Sequence, residues 1–501
     1  MHKKFKYIIP IVLIVIIVST SLIGCSSDKL LNKQAKKLNT YSIDLNIDTD
    51  NMTVSAYEKL EYKNRSDSMI ESLIFHLYPT AFSEDATIFP YSSVSEARCF
   101  PSGISYGDIY IKEVKENGHI TDFKIVGSDN DKLEIVLNNA LDIDDKTTIE
   151  IFFDLKIPNC THRFGYYENN INLGNFYPIL SVRENGEYDM TPYYSSGDPF
   201  YSDCANYNVN VKVDKDYMVF ASGNKVSEKI ENGNLSMSFE AKAIRDFALV
   251  LGSNFETKTV TAGKVVVNYA GYKGDSNINE LTELSKKAVN YFSENFTQYP
   301  YKELNVVKTP FVHGGMEYSG LVMISDTIQE MEENNKVVVH EIAHQWWYGL
   351  VGVNETKDAW IDEGLAEYST ALFFDNHGEY KILYNDIIND AITSYTLYVD
   401  VISSINGKIN TKMNIPVNEY INEYEYTYMI YIKGTILFDD LSVIVGREKL
   451  IKALEKLCKQ YRFKNITTDV FTESIKSYTH KNTDTFFTNY LNGDVIIGKL
   501  R

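Results

Sequence analysis

Through residues 41–257 the chain alternates apolar and polar positions with a period of two. Tyr41-Ile43-Leu45-Ile47 shows the pattern, as do Leu133-Ile135-Leu137 beside Ile149-Ile151, and Ala205-Tyr207-Val209-Val211-Val213. Successive side chains of a strand point to opposite faces, so such runs predict strands with one buried face. Asn117-Gly118, Asn185-Gly186 and Asn232-Gly233 separate the runs and suit tight turns, because Asn and Gly reach positive φ at little cost. An antiparallel β domain over 41–257 is the expectation. From residue 258 the spacing changes. Ile278, Leu281, Leu284, Ala288 and Tyr291 recur as on one face of a helix, and Leu304 to Lys308 and Leu321 to Ser325 read as further strands. Val337 to Val339, Ile342, Ala343, Trp346 and Trp347 predict a buried helix, with Asn334 and Asn335 as N-cap residues and Gly349 as its stop. The fold class expected is α+β, with the second domain over 258–501.

The start of the chain has a different composition. His2, Lys3, Lys4 and Lys6 precede an apolar run from Tyr7 to Val18, and Leu22-Ile23-Gly24-Cys25 reads as a lipobox. The run is short of the ~20 residues a bilayer-spanning helix needs, which favours a cleaved signal over an uncleaved anchor. Residues 1–24 are therefore expected to be a lipoprotein signal peptide, Cys25 the lipidated mature N-terminus, and 25–40 a polar tether. Two acyl chains on one cysteine anchor stably. The expected location is the extracytoplasmic face of a bacterial cell membrane.

Without the signal, about 475 residues remain, enough for two or three domains. The formal net charge of -19 and pI near 5.0 argue against nucleic acid, whose phosphates need basic patches. Cys99, Cys160, Cys204 and Cys458 show no metal-type spacing, and Cys458 falls on an apolar helical stripe.

One five-residue run carries chemistry. His340-Glu341-Ile342-Ala343-His344 places two imidazoles four residues apart, on one face of a helix, with Glu341 flanking that face. A catalytic zinc commonly takes three protein ligands and keeps one position open. Eighteen residues separate His344 from Glu363, far enough for a second, antiparallel helix to bring it back. Two histidines and a glutamate in a buried helix are costly unless something satisfies them, and a metal does so. Two core histidines with ordinary hydrogen-bond partners are the plain alternative.

The text around these residues resembles the M1 family of zinc metallopeptidases, the gluzincin aminopeptidases. The resemblance rests on His340 to Gly349, on Trp360-Ile361-Asp362-Glu363-Gly364-Leu365-Ala366-Glu367-Tyr368, and on Gly314-Gly315-Met316-Glu317-Tyr318. It extends, in order, to Ile74-Phe75-His76-Leu77-Tyr78-Pro79, Gly197-Asp198-Pro199-Phe200-Tyr201-Ser202, Tyr431-Ile432-Lys433-Gly434 and Phe486-Phe487-Thr488-Asn489-Tyr490-Leu491. It implies an N-terminal antiparallel β domain followed by a thermolysin-like, mainly helical zinc peptidase domain. It further implies one Zn2+ per chain on His340, His344 and Glu363, with Glu341 as base and then acid and Tyr431 as the donor to the oxyanion. Gly314, Gly315, Met316 and Glu317 would bind substrate, Glu317 through its α-amine. The family's long members carry Asn where this chain has Tyr318, and they supply a second amine-binding residue from the β domain, for which Glu168 is a candidate. Glu367, one turn beyond Glu363, would either orient a zinc histidine or face solvent. The large C-terminal helical domain of long members is not expected, which implies a more open cleft.

Three functions are compatible with these residues: a membrane-anchored zinc aminopeptidase acting on peptide N-termini, a thermolysin-like endopeptidase that would not need Glu317, and a lipoprotein that binds peptides without cleaving them. A pure binder has no use for a base beside the metal, so Glu341 argues against the third.

Overall fold

The computed structural model describes residues 29–407 and 409–495. The expected signal peptide and Cys25 lie outside the described residues. The alternating runs become one eight-stranded sheet, in the order Asn224–Glu231, Asn234–Ile244, Ala205–Asp214, Thr40–Asp48, Thr53–Lys63, Lys146–Lys156, Asp108–Glu116 and His119–Ile120. Along Ala205–Asp214 every second side chain is buried and every other faces outward. Two features depart from the sequence expectation. Thr40–Asp48 pairs antiparallel with Thr53–Lys63 but parallel with Ala205–Asp214. The strand containing Leu133 pairs with Ile70–His76 in a separate four-stranded sheet, away from Lys146–Lys156. Both have the same cause: a period of two fixes which face is buried and says nothing about which strand lies alongside.

The second part begins with a five-stranded sheet, ordered Phe255–Ala262, Val265–Tyr272, Glu303–Thr309, Leu321–Ser325 and Gly315–Met316. Gly315–Met316 forms its edge, antiparallel to Leu321–Ser325. Helices α1 (Ile278–Asn295) and α2 (Met331–Ala343) pack against it, and beyond α2 follow α3 (Glu355–Asn376), α4 (Tyr384–Asn406), the short α5 (Glu423–Thr427) and α6 (Lys433–Val445). A π-turn over Tyr428–Ile432 joins α5 to α6. The apolar core runs through both parts without a break.

Helix α2 starts earlier than its sequence suggests. Glu330 is the N-cap residue, Glu332 and Glu333 occupy the first turn, and Asn334 and Asn335 are buried inside the helix. Acidic residues there complement the positive end of the helix dipole, which the cap-residue pattern did not weigh. The helix also stops before Gly349. Its C-cap is His344, still helical at φ -61 and ψ -17, so the four-residue spacing from His340 survives.

Indole donors anchor the chain just beyond α2. Trp346 Nε1 donates to Thr297 O at 2.7 Å and Trp347 Nε1 to Ser369 Oγ at 2.9 Å, tying the end of α2 to the end of α1 and to α3. Helices α3 and α6 cross at Gly364 and Gly434, where a Cβ on Gly434 would stand 2.9 Å from the Gly364 Cα. Only glycine permits this approach.

Candidate active site

His340 projects from the last turn of α2, His344 from its C-cap, and Glu363 from α3. Their ligand atoms all lie within 4.8 Å of one another. Glu363 Oε2 is 3.3 Å from His340 Nε2 and 3.2 Å from His344 Nε2, and the two Nε2 atoms are 3.0 Å apart. Of the other two nitrogens, only His344 Nδ1 has a hydrogen-bond partner. His344 Nδ1 is 2.9 Å from Trp347 O, and His340 Nδ1 is 3.3 Å from Glu367 Oε1. An acceptor at Nδ1 holds the proton there and leaves Nε2 free to bind a metal. Buried Glu363 Oε2 has no hydrogen-bond partner, while Glu363 Oε1 accepts from the Tyr431 hydroxyl at 2.6 Å. Three converging donors and one orphaned carboxylate oxygen fit a tetrahedral zinc with one position to spare. His340, His344 and Glu363 are a group that could hold a zinc ion.

Electrostatics agree with that geometry. Burial disfavours charge on His344, but the Glu363 carboxylate lifts it to about 10. Burial likewise works against Glu363, yet the two imidazoles hold it well below the usual carboxylate range. Burial pushes Glu341 up to about 7 against the pull of both histidines. The group is built for positive charge at its centre.

A cavity of about 380 Å³ opens above these residues. Gly314, Gly315, Glu317, Glu341, Glu367 and Tyr431 all reach it. The Met316 side chain is buried, absent from the lining. The open side of Gly315 faces the Glu341 carboxylate, so a side chain there would strike it. Glu317 is 4% exposed with Oε1 unpartnered, and burial, then neighbouring Asp198, raises it well above its ordinary range. Tyr318 turns away from the cavity: fully buried, its hydroxyl donates to Asn175 Oδ1 at 2.6 Å. Glu168 does not reach the cavity. It stands exposed at φ 52 between Phe164–Tyr167 and Asn170–Leu173.

The β domain instead contributes Asp198 and Arg163, paired at 2.7 Å and both in the lining. Asp198 lies inside a segment the sequence had marked without a role. Arg163 carried no signal, because its partner Asp198 is remote in the chain. Tyr426 also enters the wall, its hydroxyl against Gly197 and its ring 5.9 Å from that of Tyr431.

A sheet edge beside an HExxH helix, with a glutamate returning from the next helix, defines the zinc metallopeptidase class. Residues 281–490 match the model of the peptidase family M1 domain. Endoplasmic reticulum aminopeptidase 2 of Bos taurus is 24% identical over 296 residues, covering 54% of this chain and 30% of that protein. Leucyl aminopeptidase of Saccharolobus solfataricus is 27% identical over 180 residues, covering 33% of this chain and 23% of that protein. The matched stretch thus spans under a third of these relatives. Among solved structures, an M1 zinc metallopeptidase from Deinococcus radiodurans superposes with a TM-score of 0.64 at 16% identity, covering 92% of this chain and 94% of that one. A two-domain M1 zinc metallopeptidase variant bound to L-arginine gives 0.64 at 15% identity, covering 91% and 94%.

Proposed function

We propose that this protein is a zinc aminopeptidase that removes the first residue of peptides, anchored through Cys25 to the outer face of a bacterial membrane. Residues 41–257 form its β domain and 258–501 its catalytic domain. One observation carries the reading. Glu317 and Asp198 present carboxylates at one end of the sheet edge, beside the zinc ligands. That is where a substrate ammonium would meet charge-assisted acceptors in a partly dry pocket. An endopeptidase has no group to place there. The aminopeptidase names of the relatives support the reading, as does a structural neighbour described as bound to a Tyr-Ser-Ala substrate.

When bound, zinc supplies a Lewis acid for the scissile carbonyl and lowers the pKa of a water to roughly 7. The chain's own residues do the rest. Glu341 takes the proton of the attacking water and delivers it to the departing amine. The Tyr431 hydroxyl turns from Glu363 to donate a hydrogen bond to the oxygen on which charge develops. The Trp347 carbonyl holds the His344 imidazole in its metal-binding tautomer, and the Glu367 carboxylate stands 3.3 Å from His340 Nδ1.

The test compares free and N-acetylated aminoacyl fluorogenic substrates with the full-length protein in detergent micelles. Rapid hydrolysis of the free-amine set and poor hydrolysis of the acetylated set is expected. Efficient cleavage of the acetylated set would favour the endopeptidase.

A further inference from the structure

The cleft has a direction that can be read residue by residue. Gly314 faces Val337 of α2, where a Cβ would stand 3.6 Å from Val337 Cγ2. Gly315 faces Glu341, one turn further along the helix. The Glu317 carbonyl accepts from Gln345 Nε2 at 3.1 Å, a further turn on. The edge segment from 314 to 317 therefore runs alongside α2 from 337 to its C-cap and on to Gln345 just beyond. If the ammonium sits at Glu317 and the scissile carbonyl beside Glu341, the rest of the substrate leaves past Gly314 and Val337, towards the start of α2. Lys336 lines the same cavity at that end.

We propose that Lys336 forms a carboxylate-binding subsite on the leaving side, making peptides of two or three residues with a free C-terminus the preferred substrates. This inference rests on the aminopeptidase reading. Reach supports it. At 1.5 Å per residue, Lys336 lies roughly 6 Å before His340 along the helix axis, and two residues of extended peptide span roughly 7 Å. Availability supports it as well. The Lys336 ammonium pairs with Glu332 of its own helix at 2.7 Å, and the side chains are 35% and 65% exposed. An exposed pair of that spacing is only weakly stabilising, so Lys336 exchanges it readily for an incoming carboxylate.

Among the other basic residues of the lining, burial and then Arg163 hold the His313 imidazole down to about 4, which leaves it uncharged near neutral pH. Arg163 is held by Asp198 at the ammonium end, and Glu367 is turned towards His340. Thr370 and Ile387 complete the leaving-side wall without charge. On a chain of net charge -19, a peptide carboxylate is repelled unless a local cation receives it.

The experiment measures kcat/KM for Leu-Gly-Gly and for its C-terminal amide, using the full-length, zinc-loaded protein in detergent. The free acid should be preferred by about 5- to 30-fold, as a charge-assisted contact at a partly wet site predicts. Lys336→Met should bring the ratio close to one, Lys336→Arg should keep most of it, and added salt should narrow it in the parent. A parent ratio near one overturns the subsite and leaves the aminopeptidase reading intact. So does a Lys336→Met variant that slows both peptides equally, since that loss is structural. Failure of the parent to cleave either peptide overturns the aminopeptidase reading and the subsite with it.

Discussion

Single side chains carry separable tasks at this site. Glu341 contributes no ligand atom to the three-residue donor group, so Glu341→Gln should retain one zinc per chain and lose nearly all turnover. His344→Ala removes a donor and should abolish stoichiometric zinc. Metal analysis beside a rate assay checks both, and a metal-free Glu341→Gln or a zinc-replete His344→Ala would break the assignment. Glu317→Ala should keep its zinc and cut hydrolysis of free-amine substrates about 30- to 1000-fold, as loss of a desolvated ion pair predicts. Equal losses on acetylated substrates would make Glu317 structural. The convergence of His340, Glu341, His344 and Glu363 was legible because an HExxH spacing and its following glutamate are local text. Asp198 and Arg163 were not, since their proximity to Glu317 depends on how the β domain folds over the catalytic sheet.

A second residue-scale consequence lies far from the zinc. Glu58 is fully buried in Thr53–Lys63, neither carboxylate oxygen has a partner, and burial pushes its pKa well above the ordinary 4.5. The folded state therefore keeps a proton that the unfolded chain has released above pH 4.5, and stability falls as pH rises towards the folded value. Glu58→Gln cannot release that proton. Its thermal midpoint relative to the parent should climb steadily from pH 5 to pH 8 on this linkage. A pH-independent difference between the two proteins would show that Glu58 is not protonated in the fold.

Among elements, the crossing of α3 and α6 matters most. Glu363 precedes Gly364 on α3, and Tyr431 stands three residues before Gly434, on the π-turn that feeds α6. The two glycines touch, so the 2.6 Å bond from Tyr431 to Glu363 depends on how closely the helices approach. A methyl group at Gly434 meets backbone 2.9 Å away, which cannot rotate aside as a side chain would. Gly434→Ala should therefore move Tyr431 and cut kcat about ten-fold or more, since misplacement of even 1 Å is costly in catalysis. Unchanged kcat in that variant would mean that the helices slide without disturbing the site. Helical and strand periodicity made the individual elements readable, including α1 and the strands at Glu303–Thr309 and Leu321–Ser325. Pairing was not readable, and neither was the true start of α2, because partner choice and dipole effects leave no period in the sequence.

At the scale of the whole molecule, one buried side chain clasps segments remote in the chain. The Arg245 guanidinium donates to Ser202 O at 2.6 Å, to Tyr348 O at 2.7 Å, and to Asn465 Oδ1, joining the β domain to the loop after α2 and to the strand Lys464–Asn465. Gly352 leaves the room, since a Cβ there would collide with the guanidinium. Partners 43, 103 and 220 residues away in sequence cannot be seen from any local pattern. Arg245→Met keeps the apolar stem but removes the donor to Tyr348 O and Asn465 Oδ1 and leaves buried Asp246 without its neighbouring cation. Breaking one side of such an arrangement costs about 3–5 kcal/mol. Arg245→Lys restores the charge without the planar fork, so it should recover only part of the loss. Thermal unfolding followed by circular dichroism should rank parent, Arg245→Lys and Arg245→Met in descending midpoint. Zinc content at low temperature should stay the same in all three, because the guanidinium contributes no ligand atom to the metal group. An Arg245→Met midpoint equal to the parent's would mean that the two parts are held together by apolar packing alone.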